Sequence, residues 1–434
     1  MRRSRRVWGL LVMSFNSRNY VDAQEFCIEV TDGTHDSPKR KEFGKYLITS
    51  KHIKGRNIDF DNAYLISEED FNKINQRSKV DQWDVLISMI GEYCGFCYIE
   101  RNPIINYAVK NVGILKAGTE AKAKWIYYYL NSPEGKNTLA SLRSGTSQPY
   151  LALGALRKLP IYAPNNVKEI DLINHILSIL DDKIELNNRM NKVLEQMAQA
   201  IFKQWFVDFE FPNDNGDPYK SSGGEMEWCE ELGKEIPKGW RFGKVTDVLD
   251  INPKRSLKKG TKAIYLEMKN LPAFSARATD WIEREFTSGS KFINGDVLLA
   301  RITPCLENGK TIIVDFLNAA EVGWGSTEFI VLRSKNEHAL GFAYFLARSE
   351  DFRNHAIRNM SGSSGRQRVP ESCFEFLLMP LPPSFVLEQF GKITDRFLQR
   401  MKRNGEEVKV LSILRDTLLP KLMSGEIDVS EIEL

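Results

Sequence analysis

Between Asn165 and Phe206 the chain runs 42 residues without a proline or a glycine. Apolar residues recur at Ile173, Leu177, Leu180, Ile184, Leu194, Ala198, Ile201 and Trp205. Steps of four and three alternate, which predicts a helix with one narrow apolar seam. At ~1.5 Å rise per residue this helix is about 60 Å long, more than one small domain is wide. Its seam needs a partner helix. A second stretch, Ser384 to about Met423, supplies Phe390, Ile393, Phe397, Met401, Val408, Leu411, Leu414 and Leu418, with Pro420 expected to kink or end it. The two helices are natural partners, antiparallel if the halves of the chain are related by a pseudo-twofold. Midway along the first seam, Asn187 and Asn191 stand where the pattern calls for apolar residues. Two readings are open: that turn faces solvent, or the amides are buried and fix the register.

The rest of the chain reads as one unit written twice. Tyr46-Leu47-Ile48 matches Tyr265-Leu266-Glu267, and Asp84-Val85-Leu86-Ile87 matches Asp296-Val297-Leu298-Leu299. Tyr128-Tyr129-Leu130 pairs with Tyr344-Phe345-Leu346, Ser144-Gly145-Thr146-Ser147 with Ser361-Gly362-Ser363-Ser364, and Leu159-Pro160 with Met379-Pro380. The order is kept at offsets of 219, 212, 216, 217 and 220. Strands are expected at 45–49, 84–89, 113–116, 296–300, 311–316 and 329–333. Helices are expected at 122–131 and 133–143, and again at 340–347 and 350–360. The predicted class is α+β, with two similar α/β domains separated by two long helices in an antiparallel coiled coil. The expected layout is a first domain over 1–163, a central helix over 164–206 and an acidic linker over 207–238. A second domain over 239–382, a distal helix over 383–423 and an acidic tail over 424–434 follow. Nine acids against two bases in Val207–Glu235, with Gly, Ser and Pro, give that segment its linker reading.

Composition narrows this little: 42% hydrophobic and 27% charged residues describe an ordinary globular chain of two or more domains. The six cysteines (Cys27, Cys94, Cys97, Cys229, Cys305, Cys373) lack a disulfide-scaffold spacing, so reduced thiols in a cytoplasm are expected. Cys94 and Cys97 form a lone CxxC; without a second pair it reads as two small residues on a strand and its turn. The apolar run Val7–Phe15 is short and broken by Gly9 and Ser14, so export is rejected, and Met13 is an alternative start. No stretch reaches the roughly 18 apolar residues of a membrane span.

Net charge is only +3, but the positive residues cluster. Residues 35–56 hold seven Lys/Arg against two acids, residues 252–262 hold five against none, and residues 353–368 hold four Arg around an SGSSG run. Single runs of this kind are usually solvated surface; matching runs in both repeats point to duplex DNA, with Lys and Arg on phosphates and Arg, Gln or Asn on base edges. The candidate DNA-binding residues are Lys39, Arg40, Lys51, Lys54, Arg56, Thr146, Ser147 and Gln148 in the first unit. In the second they are Lys254, Arg255, Lys269, Arg301, Asn308, Arg366, Gln367 and Arg368.

Catalytic motifs are mostly lacking. Gly309-Lys310-Thr311 resembles the end of a phosphate loop, but Pro304 stands where a glycine is required. There is no strand-borne GxGxxG and no Asn-Pro-Pro-Tyr, and the five histidines are scattered. Asp250 with Glu267 and Lys269 loosely resembles a nuclease constellation that would hold Mg²⁺. A metal-dependent nuclease and a coiled-coil adaptor without a DNA role are therefore the two rival readings.

The run Leu180-Asp181-Asp182-Lys183-Ile184-Glu185-Leu186-Asn187-Asn188, continued by Gln196-Met197-Ala198-Gln199-Ala200-Ile201-Phe202 and Trp205-Phe206, resembles the central helix of type I restriction–modification specificity subunits. So does Leu414-Arg415-Asp416-Thr417-Leu418-Leu419-Pro420-Lys421-Leu422-Met423-Ser424-Gly425-Glu426-Ile427 for the distal helix. Arg301-Ile302-Thr303-Pro304-Cys305-Leu306-Glu307-Asn308-Gly309-Lys310 resembles a segment of their second recognition domain. The resemblance runs from about Glu29 to near the end. The second unit opens with Ile236-Pro237-Lys238-Gly239-Trp240, for which residues 1–22 hold no counterpart. It implies two target-recognition domains, each reading half of a split double-stranded DNA site, and a helix pair that sets the spacing. It also implies docking of two methyltransferase subunits, which use S-adenosylmethionine, and of a restriction–translocase subunit, which uses ATP and Mg²⁺. On this resemblance the chain itself is non-catalytic, binds no cofactor or metal and meets no membrane.

Overall fold

The computed structural model describes residues 19–145, 147–164, 166–363, 365–429 and 432. The opening apolar run with Met13, and the loop residues Thr146 and Ser364, lie outside them. The chain divides into two compact units. One holds residues up to Lys183 together with those from Val410 onward; the other holds Ile184 to Lys409. Both dividing points fall inside the two long helices, Val167–Phe206 and Ser384–Ser424.

In the first unit a four-stranded antiparallel sheet has the order Glu29–Asp32, Val112–Lys116, Asp84–Ser88, Cys97–Ile99. All five residues of Asp84–Ser88 are buried because both faces of the sheet are covered. Val85 and Ile87 face the helix Glu120–Asn131, through Trp125 and Tyr128. Leu86 faces the other way, onto Ile48 and Val109. Those two belong to a second sheet, ordered Tyr64–Ile66, Lys45–Thr49, Tyr107–Lys110, whose last pair is parallel. The result is a helix layer on one sheet and a second sheet behind it, each fully buried aliphatic side chain contributing about 1.5–3 kcal/mol of transfer free energy.

The second unit repeats the plan. Its four-stranded sheet runs Leu249–Ile251, Phe329–Ser334, Val297–Ala300, Thr311–Ile313, and its second sheet runs Ile282–Glu285, Lys262–Leu266, Gly323–Gly325, Ser290–Phe292, again with one parallel pair. Val297 and Leu299 face the helix Gly341–Arg348, while Leu298 faces Leu266 and Phe292. The repeated Asp has a purpose in both. Asp84 accepts from the Asp81 amide at 2.8 Å and pairs with Lys116 at 3.0 Å on the neighbouring strand. Asp296 accepts from the Ile293 amide at 2.9 Å and pairs with Arg333 at 2.8 Å. A buried carboxylate thus closes the turn into the central strand and is neutralised across the ladder.

The long helices pack antiparallel within each unit. In the first, Leu172, Ile173 and Leu177 share a core with Leu419, Leu422 and Met423, and Asp181 pairs with Arg415 at 3.2 Å. In the second, Ala198, Phe202 and Trp205 pack with Val386, Phe390 and Met401, and Asn191 meets Asn404. Residue numbers fall on one helix as they rise on the other. Gly391 lies against the loop before the Gly341–Arg348 helix, where a Cβ would sit 2.0 Å from the His338 carbonyl.

Two expectations are corrected. The distal helix passes through Pro420 and ends at Ser424, its last turns held by the buried Leu419, Leu422 and Met423. The acidic segment is not an open linker. Phe209, Phe211, Cys229 and Ile236 are buried, Phe211 stacks on Tyr219 and Trp240, and Met226–Cys229 pairs with Lys234–Pro237. Composition hid this, because a few aromatics outweigh many solvated acids in a small core. Of the two readings of the seam, Asn187 is fully buried. No helix among the described residues is long and apolar enough to cross a membrane.

Candidate nucleic-acid interface

In the first unit, the parallel strand Lys45–Thr49 ends in a single helical turn, Ser50–His52. Ser50 is buried and ties this turn to its surroundings. Its Oγ accepts from the amides of Met89 at 3.0 Å and Ile90 at 3.1 Å, donates to the Asn111 carbonyl, and its own carbonyl accepts from Ser88 Oγ at 3.0 Å. With Ser50 fixed inward, Lys51 points to solvent. His52 is buried next to it; burial first, then the Lys51 charge, pull its imidazole below the ordinary value and favour the neutral ring.

The loop after the paired helices returns to the same place. The residues before and after Ile90 are laddered to it: the Gly91 amide donates to the Pro149 carbonyl at 2.9 Å and the Leu151 amide to the Met89 carbonyl at 2.8 Å, while Ser144 and Tyr150 exchange bonds at 2.9 Å. Lys51 and Gln148 consequently line one concavity of about 290 Å³, with Thr49, Glu92, Tyr93 and Asn111. Ser147 is exposed on the same loop. Lys39 and Arg40 are exposed in the segment before the strand, and Arg40 lines a separate cavity of about 540 Å³ with Tyr46, Phe60 and Tyr64.

The second unit reproduces the loop ladder, without the Ser50 bonds, since Met268 opens its turn. The Thr303 amide donates to the Gln367 carbonyl at 3.0 Å, the Val369 amide to the Arg301 carbonyl at 2.9 Å, and Ser361 and Arg368 exchange bonds. The turn Met268–Asn270 follows the parallel strand, so Lys269 stands where Lys51 stands in the first unit. Arg366 and Asn308 are exposed and Gln367 is half-buried. The half-buried Arg301 follows the central strand, its backbone amide bonded to the Glu328 carbonyl. Arg368 is bound to the Glu328 carboxylate by Nε and a terminal nitrogen at 2.8–2.9 Å.

Several sequence candidates prove to be committed elsewhere. Arg56 is paired with the buried carboxylate of Asp181, which also accepts from Tyr128 at 3.2 Å; this guanidinium holds the domain to the helix. Arg255 is 17% exposed and bonded to Asp296 at 3.1 Å. Lys54 is engaged by Asp59 at 2.7 Å and Lys269 by Glu267, although both lysines remain exposed. Lys254 is exposed. The nuclease constellation does not assemble: Asp250 faces Lys335 at 3.8 Å, Glu267 is spent on Lys269, and no group of three His, Cys, Asp or Glu side chains fit for a metal occurs among the described residues. Cys94 and Cys97 are buried and all six cysteines are free; burial raises the Cys97 thiol to about 12.

Sequence reading missed a cationic group in the second unit. Phe274, 53% exposed and in the left-handed region at φ 50°, carries Arg348 and Arg353 against its ring at 4.8 and 5.1 Å. Burial, then the neighbouring Arg348, pull the Arg353 guanidinium below its ordinary value. Arg353 opened the 353–368 arginine cluster, but Phe274, between Ala273 and Ser275, and Arg348, at the end of its helix, gave no signal. Arrays of this kind, exposed Lys and Arg beside Gln, Ser and Asn on loops held by a rigid sheet, suit phosphate contact with base-edge reading between.

Residues 34–196 match the family model described as type I restriction modification DNA specificity domain. The chain is 27% identical over 350 residues to the type I restriction enzyme MjaIX specificity subunit of Methanocaldococcus jannaschii, covering 78% of this chain and 76% of that protein. It is 24% identical over 407 residues to the HindI specificity subunit of Haemophilus influenzae, covering 81% and 88%. The crystal structure of a type I restriction–modification S subunit from M. genitalium shares the fold, with a TM-score of 0.51 at 15% identity over 94% of this chain and 96% of that one.

Proposed function

We propose that the chain is a type I restriction–modification DNA specificity subunit and that each of its two units reads one half of a bipartite double-stranded DNA target. The observation that carries this is the duplicated frame: two equivalent turns present Lys51 and Lys269 beside equivalent loops, Ser144–Tyr150 and Ser361–Arg368. One recognition frame would read a contiguous site. Two copies on one chain call for two half-sites. Within them, the exposed Lys residues take phosphates, and Gln148, Asn308, Arg366 and Gln367 are the base-edge candidates.

The helix pair is the spacer. It also offers a docking face for methyltransferase subunits. On the central helix Leu186, Val193 and Met197 are about half exposed, at steps of seven and four. Those partners supply S-adenosylmethionine chemistry, and a restriction subunit supplies ATP-driven cleavage, all in the cytoplasm. This chain contributes selection and no catalysis. Methylome sequencing of the host with and without the gene tests the reading. Loss of one bipartite adenine-methylation motif is expected; an unchanged methylome would remove it.

A further inference from the structure

Within the second unit the seam of the helix pair holds one block of buried amides. There Asn187 is fully buried and Asn404 is 1% exposed. Asn187 Nδ2 donates to Glu407 at 2.9 Å, Asn404 Nδ2 donates to Asn191 Oδ1 at 2.8 Å, and Asn191 Nδ2 donates to the Met401 carbonyl at 3.2 Å. All four polar side chains belong to the second unit. Towards the start of the distal helix the layers are aromatic and aliphatic: Ala198, Phe202 and Trp205 against Phe390 and Met401.

Apolar layers resist separation but not sliding. A seam with a seven-residue repeat can slip by one repeat, about 10 Å, and still meet apolar with apolar. The amides cannot. A slip of seven residues would set Asn404 opposite Ile184 or Ala198, and Asn191 opposite Phe397 or Leu411. Each amide would then be buried without a partner, the costly case for a polar group. We propose that Asn187, Asn191, Asn404 and Glu407 are the register lock of the helix pair and thereby determine the spacing between half-sites. The spacing clause rests on the reading of the helix pair as the spacer; the register clause stands on the contacts alone. The lock itself is incomplete, since Asn187 Oδ1 has no partner among the described residues. Replacing Asn187, Asn191 and Asn404 together by leucine should therefore keep or raise Tm while releasing the register.

The test uses the full chain with Cys305→Ser, since Cys305 is the one described thiol not classed as buried. Spin labels are placed by Gln204→Cys and Glu406→Cys, both exposed positions. A single inter-label distance is expected with the polar block intact. Adding Asn187→Leu, Asn191→Leu and Asn404→Leu should produce a second population displaced by about 10 Å, one seven-residue step. The same three leucines in the unlabelled chain should add a second spacer length to the host methylome. Lys192→Leu, on the exposed face, should change neither. A single unchanged distance in the triple-leucine variant overturns the lock, and so does a variant that melts earlier. A split distance with no bipartite methylation from the parent chain upholds the lock and removes the reading it was joined to.

Discussion

Lys51 owes its exposure to the residue before it. Ser50 spends its hydroxyl and carbonyl on Met89, Ile90, Asn111 and Ser88, and the turn has no freedom left to bury the next side chain. Lys51→Ala should weaken binding to every DNA sequence alike and flatten the salt dependence by roughly 0.9 in log–log slope, read by titration at several salt concentrations. Gln148→Ala, across the same concavity, should instead relax preference at one base pair. Asp181 belongs to a different class. It is buried and faces Arg56, Arg415 and Tyr128. Asp181→Ala leaves Arg415 with Asp416 alone, at 2.7 Å, and should cost about 3 kcal/mol in chemical denaturation, the low end for a broken buried pair because Asp416 remains and Arg56 can reach water. Asp59 gives a pH signature. Burial alone would raise its carboxyl; hydrogen bonds from Lys54 and Asn62 outweigh that and hold it below the ordinary 3.8. Its contribution is complete above 3.8 and fades as the pH falls through the lower folded value. The stability gap between the parent and Asp59→Asn should therefore be full at pH 7 and narrow on acidification below that point.

Elements differ in how plainly their residues announce them. Asp84–Ser88 and Val297–Ala300 are buried on both faces, so their apolar runs are unbroken and were legible. Arg241–Lys244 has neither a run nor an alternation, and the apolar Leu378–Leu381 contains Pro380; only its partner makes each a strand. The paired short helices show what a repeat can hide. Ser132 ends one helix by donating to the Tyr129 carbonyl at 2.6 Å and starts the next by accepting from the Gly135 amide at 3.1 Å. Ser349 does the same with Leu346 at 2.7 Å and Phe352 at 3.4 Å. Ser132→Ala and Ser349→Ala should each cost roughly 1–2 kcal/mol by losing a cap and leaving a buried amide short of a partner, measured as a shift in denaturation midpoint. The candidate interface was legible to a similar depth. The repeat set Lys269 against Ser50, one residue from Lys51, and only the turns Ser50–His52 and Met268–Asn270 show that the two lysines are equivalent. Arg56 and Arg255 could not be told from surface cations, because their acids, Asp181 and Asp296, lie 125 and 41 residues away.

At the scale of the whole molecule, the chain leaves one unit for the other at Lys183–Ile184 in the central helix and at Lys409–Val410 in the distal helix. Insertions at both points lengthen the two helices together and leave the polar block and both recognition frames untouched. Four residues add about 6 Å of rise and, at 3.6 residues per turn, about 40° of rotation. One base pair of duplex is about 3.4 Å and roughly 34° of twist; two are about 6.8 Å and nearly 70°. Translation alone therefore favours a spacer longer by two base pairs, and rotation alone favours one. A spacer lengthened by one or two base pairs, with both half-sites unchanged in sequence, is the expected outcome in the methylome of cells carrying the insertion. The half-sites should not change, because the residues proposed to read them lie on loops held by sheets within each unit and not by the helices' length. An unchanged spacer would mean that something other than the helix pair measures the distance. Altered half-sites would mean that the frames depend on the helices for their shape.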